Sequence, residues 1–249
     1  MIKVDLITGF LGSGKTTFLK KYAKYFINQG QRVGILENDF GAVNVDMLLL
    51  NELRGENCEL EMVAGGCDAD CHRRRFKTKL ISMGMSGYDR VIIEPSGIFD
   101  VDEFFDSLRD EPLDRWYEIG NVITVVDARL EEDLSDDSDF FLASQIANAG
   151  IIVLSRTQLT DQAHINATIG HLKSAAEKAN LSKKIDDIIF DKNWDELDVS
   201  DFERISSSGY STHSYIKKIG TDESSYKTVY FLELKIAKDT IEQKIKTNI

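Results

Sequence analysis

Short runs of β-branched apolar residues alternate along this chain with longer stretches whose apolar positions recur at helical spacing. That alternation predicts a parallel sheet covered by crossover helices. Six runs have the continuous apolar character of buried strands: Ile2 to Ile7, Arg32 to Leu36, Arg90 to Ile93, Asn121 to Val126, Ile151 to Leu154 and Asp187 to Phe190. Thr16 to Asn28 sets Phe18, Leu19, Tyr22 and Tyr25 at helical spacing and stops at Gly30, and Gln162 to Ala179 runs on in the same way. The pattern fades after Ser206. Residues 206–227 are rich in Ser, Thr, Tyr and Gly and read as a linker. Thr228-Val-Tyr-Phe-Leu-Glu-Leu then reads as a strand followed by a helical stretch, a pair that cannot bury a core alone. The expected organisation is a main domain over 1–205, a linker over 206–227, and over 228–249 either a tail packed on the main domain or the start of a further one.

Composition narrows the partners. Among 249 residues, 30 Lys+Arg stand against 42 Asp+Glu, a formal net charge of −12. Nothing in that balance supplies the basic face that neutralises nucleic-acid phosphates, so nucleic acid is excluded as an expected partner. No apolar run reaches membrane-spanning length, and Lys3 and Asp5 interrupt the first apolar stretch, so it cannot act as a signal segment. A cytoplasmic protein with no membrane partner is the expectation. Cys58, Cys67 and Cys71 are too few and odd in number for a disulfide framework, which leaves metal, redox or packing roles.

The chemistry lies in four segments. Gly9-Phe-Leu-Gly-Ser-Gly-Lys-Thr-Thr17 fits G-x-x-x-x-G-K-[ST], fed by a strand and left by a helix. Its backbone N–H groups and the helix N-terminus would wrap a phosphate chain, Lys15 would reach the β- and γ-phosphates, and the Thr16 hydroxyl would ligate Mg²⁺. Gly9, Gly12, Ser13, Gly14, Lys15, Thr16 and Thr17 are therefore candidate nucleotide-binding residues. At the end of the second strand, Glu37 and Asp39 stand at the sheet edge where ligands bind, either as cation or water-positioning groups or as a polar turn with Asp39 as a helix cap. The strand Val91-Ile-Ile ends in Glu94-Pro-Ser-Gly97, a Walker-B-like acid for Mg²⁺ with Gly97 open to a γ-phosphate. Lys15, Glu37 and Glu94 are the candidate catalytic residues. Between them, Ala64-Gly-Gly-Cys-Asp-Ala-Asp-Cys-His72 precedes Arg73-Arg-Arg75. Cys67, Cys71 and His72 with the neighbouring carboxylates form a ligand set for Zn²⁺ or Co²⁺, and the three arginines would lower the thiol pKa values; the other reading is two ordinary cysteines and a basic helix start. Cys58 reads as a buried small residue. The run from Glu131 to Asp139 reads as a solvated loop, and His164, His171 and His213 as isolated side chains.

Over roughly Ile2 to Phe190 the chain resembles the CobW family of P-loop GTPases. The resemblance rests on Gly9 to Thr17 as the phosphate loop, Glu37-Asn-Asp-Phe-Gly41 as the switch segment, Glu94-Pro-Ser-Gly97 as the acidic strand end, and Asn121 to Ala128 and Gln145 to Ala149 as the strand and helix before the base-binding strand. It implies a three-layer α/β P-loop fold with a mainly parallel sheet, residues 228–249 as the start of a small C-terminal α/β domain, GTP and Mg²⁺ as cofactors, slow hydrolysis, and delivery of zinc or cobalt to a client metalloprotein or corrinoid-related protein. It also implies homodimerisation. Glu37 would join Thr16, Asp39 and Glu94 in holding metal.

Two departures stand out. The family's metal motif G-G-C-x-C-C is here Gly65-Gly-Cys-Asp-Ala-Asp-Cys71, with only Cys67 directly on a family cysteine. Where base recognition expects N/S-K-x-D, the chain has Ser155-Arg156-Thr157-Gln158, so a neutral amide replaces the carboxylate that would take guanine N1–H and N2–H₂. Two alternatives remain: a nucleotide-gated activator that docks on a client without metal, and an ATP-using small-molecule kinase with Arg73 to Arg75 as a phosphate clamp.

Overall fold

In the computed structural model, seven parallel strands form one sheet in the order β3-β2-β4-β1-β5-β6-β7. The structure describes residues 1–39, 45–64, 69–95, 101–130 and 134–212. Gly97, Cys67, Asp68, His213, the strand expected from Thr228 and the side chains of Asp39 and Asp70 lie outside the described residues. The strands are β1 (Ile2–Thr8), β2 (Val33–Asp39), β3 (Cys58–Ala64), β4 (Arg90–Pro95), β5 (Tyr117–Asp127), β6 (Ile151–Ser155) and β7 (Ile189–Phe190). The helices are α1 (Lys15–Asn28), α2 (Val45–Leu50), α3 (Ala69–Gly84), α4 (Val101–Arg109), α5 (Leu113–Trp116), α6 (Asp136–Ala147), α7 (Gln162–Lys178) and α8 (Val199–Ser206).

Alternation along each strand sends side chains to two faces, and both are covered. Ile7, Ile92, Ile123, Val125 and Val153 pack with Phe18, Tyr22 and Phe26 of α1 and with Ile205 of α8. On the other face, Val4, Leu6, Val91 and Ile93 meet Phe76 and Leu80 of α3 and Phe104 of α4, while Ile152 and Leu154 meet α6 and α7. The sheet between two helical layers is the three-layer arrangement that the continuous apolar runs imply.

Differences from the sequence reading have local causes. β3 is an additional strand at the sheet edge, where Glu59 and Glu61 alternate with buried Cys58, Leu60 and Val63, so it lacks the unbroken apolar run of a central strand. β5 begins four residues early, at Tyr117, because the stretch pairs with β1 from Ile2 onward. Of the run expected from Asp187 to Phe190, the first half ends a 3₁₀ turn, Ile185–Ile188, and the second half is the two-residue β7. The acidic run is corrected most: Asp136, Asp137 and Asp139 form the first turn of α6, capped by Ser135 and favoured by the helix dipole. Asp139 is buried between His171 Nε2 (2.7 Å) and Lys178 Nζ (2.6 Å) of α7, so it joins two helices and is not solvated. His164 sits beside the α7 cap Asp161 (2.8 Å).

Midway along β1, fully buried Asp5 collects its partners from three elements. Tyr22 donates to Oδ2 (2.9 Å), the Asn121 backbone N–H (2.8 Å) and Nδ2 (3.0 Å) donate to Oδ1, and Arg90 forms an ion pair with it. Arg90 also lies over the Phe26 ring, 4.0 Å from its centroid. Asn121 carries the network onward, accepting from Gly209 N–H (2.8 Å) and donating to Ser206 O (3.0 Å), so residues just after α8 are held along β5.

Candidate nucleotide and cation site

The loop between β1 and α1 has the backbone that its glycines permit. Gly9 and Gly14 take φ of +141° and +98°, and a Cβ at Gly9 would run into the Val125 carbonyl of β5, so the loop can lie this close to the sheet only with glycine there. Ser13 N–H closes the turn on Phe10 O (3.1 Å). Lys15, buried to 7% exposure, donates to Phe10 O across the loop (3.1 Å), which holds its ammonium over the loop's concave side.

In the first turn of α1, the Thr16 hydroxyl lies 2.8 Å from Glu94 Oε1 and 3.0 Å from Asp46 Oδ1. A hydroxyl has one hydrogen, so only one of these contacts can be its donation. Sheet register completes the group: β2 and β4 pair with Glu37 opposite Glu94 at the carboxyl ends of the strands. Glu37, Asp46 and Glu94 offer oxygens within 4.8 Å of one another. Glu37 is 2% exposed and Glu94 4%, and Glu37 Oε1 and Glu94 Oε2 have no hydrogen-bond partner among the described residues.

Such crowding is costly for three negative charges. Burial, then repulsion from Glu94 and Asp46, pushes the Glu37 carboxyl up to about 10. Burial pushes Glu94 up to about 7, against the pull of Lys15 and of the Thr16 hydrogen bond. Burial therefore favours a proton on this pair of carboxyls while no cation is bound. A divalent cation would replace that proton. The donor set is all oxygen, which suits a hard ion such as Mg²⁺, with Thr16, Glu94, Asp46 and Glu37 as its holders.

On the opposite flank of the loop, β5 and β6 bring other groups to the same edge. Ser155 ends β6 opposite Asp127 of β5. Arg156, with φ of +57°, reaches back to give Nη2 to Gly12 O (2.8 Å) and Nη1 to Asp127 Oδ2 (2.5 Å). Trp194, after β7, lies against the Phe18 ring with centroids 5.4 Å apart, and its ring edge would be 3.3 Å from a Cβ at Gly14. Gln158 follows in an exposed 3₁₀ turn, Thr157–Leu159.

Of the residues named from sequence, the structure brings Lys15, Thr16, Glu37 and Glu94 together, and puts Ser155 and Arg156 beside the loop. Cys71 is half-buried and His72 buried on α3, and neither belongs to the carboxylate group. Cys58 is buried in β3, where burial raises its thiol to about 11, as fits a packing residue. Sequence reasoning missed Asp46. Its signal, an acid in the first turn of a helix just beyond the Glu37 segment, reads equally as a dipole-complementing residue. It missed Asp127 and Trp194 because their roles exist only through contacts with Arg156 and the phosphate loop.

Residues 3–185 match the family model for the CobW/HypB/UreG nucleotide-binding domain. The chain belongs to this family. Among its CobW-type relatives, the zinc chaperone YeiR of Escherichia coli is 30% identical over 161 residues, covering 64% of this chain and 48% of YeiR. The zinc chaperone CobW of Sinorhizobium is 26% identical over 204 residues, covering 71% of this chain and 57% of that protein. The chain spans about half the length of the curated relatives it matches. The nickel complex of HypB from Helicobacter pylori shares the fold with a TM-score of 0.53 at 18% identity, covering 86% of this chain and 91% of that one. The hydrogenase maturation factor HypB of Archaeoglobus fulgidus does so at 0.51 and 18%, covering 82% and 86%. No helix among the described residues is long and apolar enough to cross a membrane.

Proposed function

We propose that this chain binds GTP with Mg²⁺, hydrolyses it slowly, and couples the nucleotide state to delivery of a transition metal, zinc or cobalt, to a client metalloprotein. The observation that carries the reading is the convergence of Glu37, Asp46 and Glu94 on the Thr16 hydroxyl at the foot of the phosphate loop. Bound Mg²⁺ would neutralise charge on the β- and γ-phosphates. Lys15 would turn from Phe10 O to the phosphates, and Glu37, freed of its proton, would position the attacking water. Hydrolysis is slow, below about 0.01 s⁻¹, because Arg156, the arginine that touches the phosphate loop, is committed to Asp127 and Gly12 and stabilises no transferred phosphoryl group.

The metal cargo would use Cys67, Cys71 and His72, and topology supports their coupling to the nucleotide. β3 pairs with β2 up to Ala64 opposite Asp39, so the segment leading into α3 starts from the strand edge that carries Glu37. A γ-phosphate and Mg²⁺ that reorganise Glu37 would thus act next to the thiolate segment. The deciding experiment measures Zn²⁺ and Co²⁺ affinity in the GTP-, GDP- and nucleotide-free states, alongside GTP turnover. The reading expects metal affinity to change by tenfold or more between GTP and GDP states, about 1.4 kcal/mol of coupling. Equal affinities would remove the coupling.

A further inference from the structure

The sheet order divides the ligand edge in two. The phosphate loop follows β1 in the middle, the carboxylates stand on the β2–β4 side, and Ser155 to Gln158 stand on the β5–β6 side. With the phosphates and cation at the centre and on one flank, the nucleoside extends over the other. There Arg156 holds Gly12 O, and Leu159 N–H closes the turn on Arg156 O (2.9 Å). That turn carries Gln158, whose exposed amide makes no hydrogen bond among the described residues. Ser155 Oγ and Trp194 Nε1, both buried beside Gly14, likewise have no partner among the described residues.

A carboxylate at position 158 would accept from both guanine N1–H and the 2-amino group. An amide cannot, because its two ends are one acceptor and one donor. Its matching edge on the purine is the lactam, with the amide oxygen accepting from N1–H and the amide N–H donating to O6. The 2-amino group then has no partner on Gln158. Asp127, the nearby carboxylate, cannot substitute. Arg129 N–H and Nε take its Oδ1 (3.0 and 3.3 Å), and Arg129 Nη2 and Arg156 Nη1 take its Oδ2 (3.3 and 2.5 Å).

We propose that Gln158 makes the base site read the O6/N1–H edge of a 6-oxopurine and ignore position 2, so that guanosine and inosine triphosphates bind alike. This rests on the nucleotide reading above and specifies its substrate class. The test is a calorimetric titration of the full chain with GTP and ITP in Mg²⁺, repeated with Gln158→Asp, an exposed substitution that leaves the core untouched. The wild type is expected to bind the two triphosphates within about threefold. The variant is expected to favour GTP by about tenfold or more, the worth of a restored charged bidentate contact. A wild-type preference for GTP of tenfold or more, or a GTP/ITP ratio unmoved by Gln158→Asp, overturns the proposal while leaving the nucleotide reading in place. Failure of both triphosphates to bind the wild type overturns that reading, and the proposal with it.

Discussion

Buried carboxylates at two places along one sheet, Asp5 at one and Glu37 with Glu94 at the other, have been treated in opposite ways. Asp5, midway along β1, is surrounded by donors: an arginine, a tyrosine hydroxyl, and an asparagine side chain and backbone. At the carboxyl ends of β2 and β4, Glu37, Asp46 and Glu94 face one another around a hydroxyl, with Glu37 Oε1 and Glu94 Oε2 unpaired among the described residues. A charge taken from water must find partners or a proton. Asp5 found partners in the fold and its role is structural. The glutamates lack such donors, and their burial pushes both carboxyls toward the protonated form, as at sites that take up a cation.

The largest expected break in this contrast is Asp5→Ala. It leaves Arg90 buried and unpaired and should cost about 3–5 kcal/mol in urea unfolding; a cost under about 1 kcal/mol would mean that Asp5 anchors nothing. Glu94→Gln should do the reverse. It replaces a crowded acid by a neutral isostere, so stability should stay within about 0.5 kcal/mol, while Mg²⁺ affinity and GTP turnover fall on the order of a hundredfold. Turnover at the wild-type rate would remove Glu94 from the cation site.

The pH dependence of the ligand-free protein sharpens the same point. Glu94 and Glu37 have folded pKa values raised from 4.5 to about 7 and about 10. For acids the unfolded chain then releases protons first, so their contribution is most favourable below about pH 4.5. It is lost as pH rises toward 7 for Glu94, and onward toward 10 for Glu37. Thermal melts should show this fall, and Glu37→Gln should flatten its alkaline part; an unchanged slope would contradict the shared proton. The smallest effect is expected from Tyr22→Phe, which removes the hydroxyl's donation to Asp5 and its acceptance from Asn121 Nδ2 (3.2 Å) while Asp5 keeps its other donors, and should cost about 1–2 kcal/mol.

Legibility in the sequence followed the same division between local and distant. β1, β4 and β6 were readable to within a residue or two because each runs through at least five consecutive buried residues, most of them apolar. The edge strand β3 was not, since half of its residues face water and its period matches many loops. Lys15 and Thr16 were readable from an eight-residue pattern, Gly9 to Thr16, and Glu37 and Glu94 from their places at strand ends. Asp46 was not readable, because its meaning depends on where α2 sits. The acids from Asp136 to Asp139, the first turn of α6, were misread, because solvation and dipole capping leave the same trace in composition and only α7 tells them apart at Asp139.

What the sequence determined alone is whatever a few consecutive residues can enforce: apolar runs that must be buried, glycines that allow φ above zero at the phosphate loop, and a lysine and threonine set at its end. The tertiary structure decided which of these meet. Glu37 faces Glu94 because β2 inserts next to β4, Arg156 finds Asp127 because β5 and β6 pair in register, and Asp5 finds Arg90 because β1 lies beside β4. Strand order in a parallel sheet is set by how the crossover helices pack, a global balance of buried area that leaves no mark on any short stretch of chain.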